Sequence, residues 1–437
     1  MNSDATFDFV HGKICNGKRY DLKGVIEELR EAGAEIEDWP TASIIDLLAE
    51  LSEIIADHSL DLHRRYPSSG LGYIAGWCRR SNLQFILQSA FNTGKVLDQF
   101  TTLGKRVDRE YRALPVGLVA HWMAGNVPTL GFLSMIQGIL TKNANLIKVA
   151  SNQDDMLANL LQILGKTGKG KTYSGRKLVE SIAVIRYDKA EFKPGKAISA
   201  SANARVFWGS DETVNLLRQL PATMNCRDLV FGNKTSFMAI DRHVLEGNDF
   251  ELLARRVAAD VSLFEQKACA SPHTLFLETQ DDRILESMAE AIYKAMSRAL
   301  RTYEKSPPSP QEVSAILNIR AQYDMFQRAW YPHGVEFTLL SDNLFQLGPP
   351  IGNRVLYLRK VDDLAKVADL ISPQVQSVGL ACCAKCFEAI TRLFARRGVV
   401  RFSTIGAMTH FENPWDGYTL VHHLVRWVSR PASKFGE

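Results

Sequence analysis

Cys269 lies in the run Phe264-Glu265-Gln266-Lys267-Ala268-Cys269-Ala270-Ser271-Pro272-His273, just ahead of an apolar, strand-like segment, Thr274-Leu275-Phe276-Leu277. Small residues on either side leave room for a substrate to reach the sulfur. A thiolate attacks carbonyl carbon readily, and a neighbouring backbone N–H can hold the oxyanion that forms. A free cysteine is also commonly no more than a small buried hydrophobe, and this window alone reads that way. Two further stretches turn the reading towards chemistry. One is Met123-Ala124-Gly125-Asn126-Val127-Pro128, a polar turn between apolar segments; the other is Phe207-Trp208-Gly209-Ser210-Asp211 at the end of a strand pattern. There Gly209 lets a ligand approach the backbone. Ser210 or Asp211 can cap a helix whose N-terminus attracts a pyrophosphate. The GxGxxG fingerprint is absent from this unit.

Other motifs carry less. Gly165-Lys166-Thr167-Gly168-Lys169-Gly170-Lys171-Thr172 fits the formula GxxxxGKT, but a phosphate-binding loop needs a strand before it and a helix after it. Residues 154–164 read instead as an amphipathic helix, so this is expected to be a solvated basic connection. Cys382-Cys383-Ala384-Lys385-Cys386 lacks further Cys or His at metal spacing, so these are expected to be structural cysteines, with no metal site. The pair His422-His423 on an apolar tail is likewise read as structural.

Elements that could position these residues follow from periodicity. Strand patterns at 116–121, 146–149, 182–185 and 204–208 alternate with helical patterns at 128–140, 154–164 and 212–220. They predict a parallel, doubly wound α/β sheet that binds ligands at the carboxyl ends of its strands. A second α/β unit follows, with strands at 235–240, 274–277, 355–358, 377–382 and 399–403 and helices at 250–264 and 282–299. Before the first unit come one strand-like piece, Phe7–Ile14, with Gly12 and Gly17 as turn residues, and a helical region.

The chain has 437 residues, 46% hydrophobic and 23% charged, with a net charge of +4. That suits a soluble protein of two or three domains, is too weakly basic to point to nucleic acid, and fits an acidic small ligand or carrier. The seven cysteines (Cys15, Cys78, Cys226, Cys269, Cys382, Cys383, Cys386) show no framework spacing, which predicts a reducing, cytoplasmic setting. Residues 113–141 lack Lys, Arg, Asp and Glu, but His121, Asn126, Pro128, Thr129, Gln137 and several glycines interrupt them. A buried strand, turn and helix are expected there, and no membrane span. The first eight residues show no secretory pattern.

Together the stretches resemble the aldehyde dehydrogenase superfamily and, within it, the LuxC-type acyl-CoA reductases. The matching pieces run from 117–128 (Gly117 to Pro128) through Asn145-Leu146-Ile147-Lys148, Phe207 to Ser210, Phe231-Gly232-Asn233-Lys234-Thr235-Ser236 and Gln266 to Pro272, to Gln374 to Gly379 and Asn413-Pro414-Trp415-Asp416-Gly417. The resemblance implies Cys269 as nucleophile and Asn126 as the amide that, with the Cys269 backbone N–H, holds the oxyanion. It places Lys148 near the adenosine ribose and Gly209 and Ser210 under the cofactor pyrophosphate. Lys148, Ser151 and the nearby basic loop lean towards NADPH, with NADH as the alternative. The implied domains are 1–234 for cofactor binding, 235–410 for catalysis, and a segment 411–437 that packs back or bridges subunits of a homo-oligomer.

One departure from the superfamily is informative. Hydrolytic aldehyde dehydrogenases carry a Glu before their Gly-Gly-Lys motif; here Val230 stands in that place, in Leu229-Val230-Phe231-Gly232-Asn233-Lys234. A second superfamily Glu has no counterpart in 347–355. Without a base for water, an acyl-cysteine should await hydride or thiol. The reaction implied is reduction of an acyl-CoA or acyl-carrier-protein thioester to the aldehyde, with room for a partner enzyme that supplies the acyl group. The alternatives are an ordinary NAD(P)-dependent aldehyde dehydrogenase, a cysteine acyltransferase or thioesterase, and a non-catalytic binding subunit.

Overall fold

The first strand pattern is a hairpin. Strands β1 (Asp4–Val10) and β2 (Lys13–Asp21) pair antiparallel across His11 and Gly12, at φ 53° and 68°. Two positive φ values in a two-residue loop match the twist of the flanking strands, so Phe7 and Ile14 belong to different strands, not to the single one expected. The computed structural model describes residues 4–67, 69–104, 108–151, 153–188, 191–247, 249–303 and 305–432. The chain divides into two units, Met1–Gly232 with Glu412–Glu437, and Asn233–Phe411.

In the first unit β3 (Arg109–Pro115) is followed by β4 (Leu118–Trp122), β5 (Ala144–Lys148), β6 (Ile182–Arg186), β7 (Ala204–Trp208) and β8 (Arg227–Phe231). The sheet order is β2-β1-β6-β5-β4-β7-β8. The five strands from β6 to β8 are parallel, and β1 joins β6 antiparallel. The expected doubly wound sheet is therefore present, with an antiparallel hairpin on one edge. The chain starts at the central β4, moves outward through β5 and β6, then returns to β7 and β8. Its direction switches between β4 and β7, where doubly wound sheets open a crevice at their carboxyl edge. Both faces of β4 to β7 are covered, which is why they read as nearly continuous apolar runs, whereas the edge strand β8 keeps Arg227 exposed.

In the second unit β9 (Thr235–Ile240), β10 (Pro272–Glu278), β11 (Arg328–Trp330), β12 (Thr338–Asp342), β13 (Val355–Val361), β14 (Val375–Ala381) and β15 (Arg401–Thr404) form one sheet, in the order β11-β12-β13-β10-β9-β14-β15. All but β11 run parallel. The core on one face is built by helices Phe250–Ser262 and Asp282–Ala299 against Met238, Ile240, Leu275 and Leu277. Finally β16 (Val425–Pro431) returns to the first unit and pairs antiparallel with β3, from Val425↔Pro115 to Pro431↔Arg109. Among the described residues no helix is long and apolar enough to cross a membrane.

Polar residues buried in the first unit fix its connections. The Lys142 ammonium, at the turn before β5, donates to the carbonyls of Glu37 (3.2 Å) and Leu97 (2.8 Å) and pairs with Asp98 (2.8 Å). This ties the N-terminal helices to the sheet; a buried cation of this kind is stable only with such partners. Asn143 Oδ1 accepts from Gly117 N–H, and its Nδ2 donates to the Leu424 carbonyl at 3.0 Å, anchoring the returning tail. Inside β4, His121 lies between Ser134 Oγ (2.8 Å from Nδ1) and Asn145 Oδ1 (3.2 Å from Nε2). Trp208 Nε1 donates to the same Ser134 hydroxyl at 3.1 Å.

His121 generates a pH prediction. Burial pushes its pKa from the ordinary 6.5 down to about 4, partly opposed by the Asn145 bond. Between those values the unfolded chain takes up a proton that the folded chain refuses, so stability falls as pH drops through this window, by about 1.4 kcal/mol per pH unit and roughly 3 kcal/mol in all. Urea midpoints measured from pH 7 to pH 4.5 should therefore fall more steeply for the wild type than for His121→Gln. Parallel curves would show that His121 is not held neutral.

Candidate active site

The first-unit candidates share one edge of one sheet. The loop carrying Asn126 follows β4, the loop carrying Ser151 follows Lys148 at the end of β5, and Gly209-Ser210 follows β7. Since β5, β4 and β7 are adjacent and parallel, all five residues lie along the carboxyl edge that flanks the switch point. The loops after β4 and β5 are stitched together. Met123 N–H donates to the Lys148 carbonyl (3.0 Å), and Gln153 Nε2 donates to the Pro128 carbonyl (3.2 Å). Val127 is buried and plugs the loop from beneath, while Gly125 and Asn126 are exposed at its tip.

Lys148 places its ammonium 5.2 Å from the centre of the Tyr187 ring, and the Tyr187 hydroxyl accepts from Trp122 Nε1 at 2.8 Å. The carbonyls of Ala150 and Ser151 accept from Arg186 at 2.8 and 2.9 Å, and the same guanidinium is paired with Asp8. The backbone at Ser151 is thus fixed and its side chain left exposed. At the third loop a Cβ on Gly209 would meet only Thr213, at an ordinary 3.6 Å. The fold therefore does not need a glycine there, and the space beside it is open to a ligand backbone or phosphate. Ser210 is the cap of helix Asp211–Arg218, its Oγ accepting from Thr213 N–H at 3.4 Å. Asp211 and Glu212 occupy the first turn, where their charge offsets the attraction of the helix end for an anion. The lone-glycine turn is thus a place of close approach more than of strong phosphate binding.

The basic connection is elsewhere. Helix Met156–Leu164 runs back from the carboxyl edge, and helix Gly175–Glu180 leads into the start of β6, so 165–174 lies at the amino edge of the sheet. Gly168 N–H donates to Glu50 at 3.1 Å, and Lys171 pairs with the same carboxylate at 3.9 Å. A helix and not a strand precedes the loop, so the nucleotide-loop reading fails as the sequence indicated. The suggestion that these lysines sit beside Lys148 and Ser151 is corrected: the intervening helix carries them to the opposite edge.

Cys269 belongs to the second unit, at the amino end of β10. It is half-buried in a turn closed by Ser271 N–H donating to the Ala268 carbonyl (2.9 Å). The Ser236 hydroxyl donates to the carbonyl of Cys269 itself at 2.8 Å. The expected helix to residue 264 stops at Ser262, because Phe264, Glu265 and Gln266 adopt φ of 53°, 55° and 62°. Left-handed backbone costs residues with side chains of order 1 kcal/mol or more each and persists only where surroundings enforce it. Here a second left-handed stretch, Gly352–Arg354, meets the first, and Asn353 N–H donates to the Glu265 carbonyl at 2.9 Å. The Glu265 carboxylate accepts from Ser306 N–H at 2.6 Å. The buried Gln266 amide donates to the carbonyls of Pro272 (2.6 Å) and Val355 (2.8 Å), bracing both sides of the cysteine turn.

Residues without a role in the sequence reading gather at the same level. Ser236 is opposite Pro272 on one side and Ser377 on the other, and Phe237 is opposite Thr274 and Val378. His273 and Gln376 are therefore the extra residues of two bulges, one on each strand flanking β9. Bulges concentrate beside active sites, where they re-aim side chains. Both residues are buried. His273 Nδ1 and both amide atoms of Gln376 have no hydrogen-bond partner among the described residues, and burial pushes His273 down to about 4, leaving it neutral. The available signal was polar residues at strand starts: Ser-Pro-His before an apolar run, and Gln-Val-Gln-Ser within one. Val230, which the resemblance sets in the place of the hydrolytic Glu, lies opposite Phe207 and packs on the apolar cluster that includes Leu118, Ala120, Ile198 and Val214.

Residues 36–427 match the family model for acyl-CoA reductase (LuxC). A long-chain acyl-protein thioester reductase of Photorhabdus luminescens is 26% identical over 370 residues, covering 80% of this chain and 71% of the relative. Long-chain acyl-protein thioester reductase 2 of Photobacterium leiognathi is 23% identical over 367 residues, covering 82% and 72%. Among solved structures, 1-pyrroline-5-carboxylate dehydrogenase of Thermus thermophilus superposes with a TM-score of 0.69 at 13% identity, over 99% of this chain and 93% of that one. A putative aldehyde dehydrogenase from Burkholderia cenocepacia gives 0.71 at 13% identity, over 97% and 96%. The fold is that of the aldehyde dehydrogenases.

The bracing of Cys269 can be tested without substrate. Gln266→Leu strands two buried carbonyls, at about 1–3 kcal/mol each, and releases the turn. A lower urea midpoint and several-fold faster alkylation of Cys269 by iodoacetamide, mapped by peptide mass, are expected. If both stay at wild-type values, the amide does not brace the turn.

Proposed function

The chain belongs to the LuxC family of acyl-CoA reductases, and from that premise we propose that it reduces an acyl thioester to an aldehyde with NADPH through an acyl-Cys269 intermediate. The observation that carries this reading is Cys269 on a doubly braced turn with small residues around it, the cysteine that the resemblance makes the nucleophile. The balanced reaction is acyl-thioester + NADPH + H⁺ → aldehyde + thiol + NADP⁺.

The Cys269 thiolate attacks the thioester carbonyl, a C–S bond forms to Cys269, and the C–S bond to the carrier thiol breaks. The nicotinamide cofactor supplies the hydride that this chain has no group to provide. Asn126 is assigned the oxyanion of the resulting thiohemiacetal, and Cys269 leaves as thiolate when the aldehyde forms. Losing one oxyanion donor is expected to cost about 3 kcal/mol of transition-state stabilisation. Lys148, Ser151 and Gly209-Ser210 are assigned to the cofactor. The open space at Gly209 and the exposed Ser151 beside Lys148 fit a nicotinamide dinucleotide. With the basic loop at the other edge, preference for a 2′-phosphate rests on Lys148 and Ser151 alone. The relatives named above act on long-chain acyl-protein thioesters; a long acyl chain on a protein thiol or on CoA is the substrate proposed here.

Val230 separates this reading from hydrolysis. It offers no carboxylate to activate water, and its packing against the apolar cluster means that Val230→Glu would bury a charge. An acyl-Cys269 intermediate should therefore persist until hydride or thiol removes it.

Four measurements test the proposal. NADPH absorbance with a panel of acyl-CoAs should fall with the wild type. Cys269→Ala should abolish turnover and leave NADPH affinity near wild type; activity within tenfold of wild type would remove Cys269 from the role. Asn126→Ala should lower kcat by roughly a hundredfold or more with little change in the yield of acyl-enzyme. Finally, enzyme loaded with acyl-CoA without NADPH should carry the acyl mass on Cys269 and lose it faster to added CoA than to water. Discharge to free acid at the turnover rate, unaffected by thiol, would favour the hydrolase alternative instead.

A further inference from the structure

The second sheet has its own switch point, and it lies away from Cys269. From β9 the chain proceeds to β10 on one side, whereas β14, the other neighbour of β9, leads on to β15. The carboxyl ends of β9 and β14 are adjacent, Ile240 opposite Ala381, with Asp241 N–H donating to the Ala381 carbonyl at 3.0 Å. This is the position at which open α/β sheets hold ligands. Cys269 occupies the amino end of β10, the opposite edge.

Three soft donors converge at this switch point. His243 is on the helix Arg242–Glu246 that follows β9. Cys383 caps helix Ala384–Arg396, which follows β14, and Cys386 is in its first turn. One ligand atom from each lies within 4.8 Å of the other two. His243 is exposed and both thiols are partly exposed, so a solute ion can reach them. Sequence spacing shows only the two thiols; the imidazole arrives from a distant strand through the pairing of β9 with β14. The buried Asp241 carboxylate stands behind the cluster. It accepts from Val244 N–H (2.8 Å) and Cys383 N–H (2.7 Å), caps the His243 helix, and reaches the Cys386 thiol. That is how outer-shell carboxylates orient metal ligands.

We propose that His243, Cys383 and Cys386 bind a divalent zinc ion that pins the starts of the two helices together over the switch point. Two sulfurs and an imidazole nitrogen suit zinc over magnesium or calcium, which take oxygen ligands. Tetrahedral zinc with bonds of about 2.3 Å to sulfur and 2.0–2.1 Å to nitrogen holds its donors roughly 3.5–3.8 Å apart. The present spread closes to that by side-chain rotation, for which the exposed imidazole is free. No other His, Cys, Asp or Glu among the described residues joins the cluster, so water completes the coordination. Binding releases the two thiol protons to solvent and changes no oxidation state.

The test uses the full-length protein, reduced and stripped with chelator, then titrated anaerobically with Co²⁺. One equivalent should give visible bands of four-coordinate cobalt and a near-ultraviolet sulfur-to-cobalt charge-transfer band, displaced by Zn²⁺. The spectrum should survive in Cys269→Ala and vanish in Cys383→Ser/Cys386→Ser. His243→Ala should retain the charge-transfer band and weaken Zn²⁺ binding at least tenfold. Wild-type protein gives a readout independent of variant folding: Zn²⁺ should protect Cys383 and Cys386 from iodoacetamide and leave Cys226 labelled as before. Absence of thiolate–cobalt bands, their persistence in the double serine variant while Cys269→Ala loses them, or equal alkylation of Cys383 and Cys386 with and without Zn²⁺ would overturn the site.

Discussion

Three consecutive residues with side chains hold left-handed backbone at Phe264–Gln266, and the surroundings of Cys269 are organised by what that requires. Left alone, the segment would continue the helix that ends at Ser262. A facing left-handed stretch at Gly352–Arg354, joined by the bond from Asn353 N–H to the Glu265 carbonyl, prevents this. The bend turns the chain sharply enough for Gln266 to drop its amide between the carbonyls of Pro272 and Val355. It also lets Ser236 on the next strand reach the Cys269 carbonyl. Strain at this place is opposed by hydrogen bonds to buried carbonyls, where each bond weighs more than it would in water. A nucleophile gains from this arrangement because its backbone is fixed before any substrate arrives.

The two sheets obey one topological rule and put it to different uses. In the first unit the switch between β4 and β7 gathers Asn126, Lys148, Ser151 and Gly209 along one carboxyl edge. In the second the corresponding switch, between β9 and β14, gathers His243, Cys383 and Cys386, while Cys269 sits at the amino edge. An edge of a parallel sheet is where strands stop, side chains fan out and loops can vary without disturbing the ladder. The edge decides which residues meet, and helices that run back across the sheet decide which do not. The basic loop 165–174 is separated from the cofactor candidates for that reason, although only about fifteen residues of chain lie between them.

Buried polar groups set the connections of the first unit. Lys142 links two helix ends to the turn before β5, and Asn143 fixes the returning tail. His121 shares Ser134 with Trp208, so the interiors of β4 and β7 are bound through one hydroxyl directly beneath the loops that carry Asn126 and Gly209. Such groups are costly when unpaired and specific when paired. They fix the register of the strands that present the candidate residues more sharply than apolar packing would.

Periodicity determined the order and type of the inner strands of both sheets and of the main helices between them, and left β3, β8, β11, β12 and β16 unread. Strands 182–185, 204–208 and 235–240 and helix 282–299 fall within a residue of where the pattern put them, because burial on two faces or one leaves an unmistakable apolar spacing. The resemblance carried by the stretches around Asn126, Gly209 and Cys269, in that order, pointed to the aldehyde dehydrogenase fold. The sequence could not show what depends on pairing between distant segments. At His11-Gly12 the glycine marks a turn, but that the chain doubles back there into two paired strands shows only in the ladder between β1 and β2. The early stop at Ser262 was hidden because Phe264, Glu265 and Gln266 all suit a helix, and only the stretch at Gly352–Arg354 forbids it. The bulges at His273 and Gln376 exist only relative to β9. Cys383 and Cys386 looked structural because their third partner, His243, is brought to them by the β9–β14 ladder, a contact that no local spacing encodes.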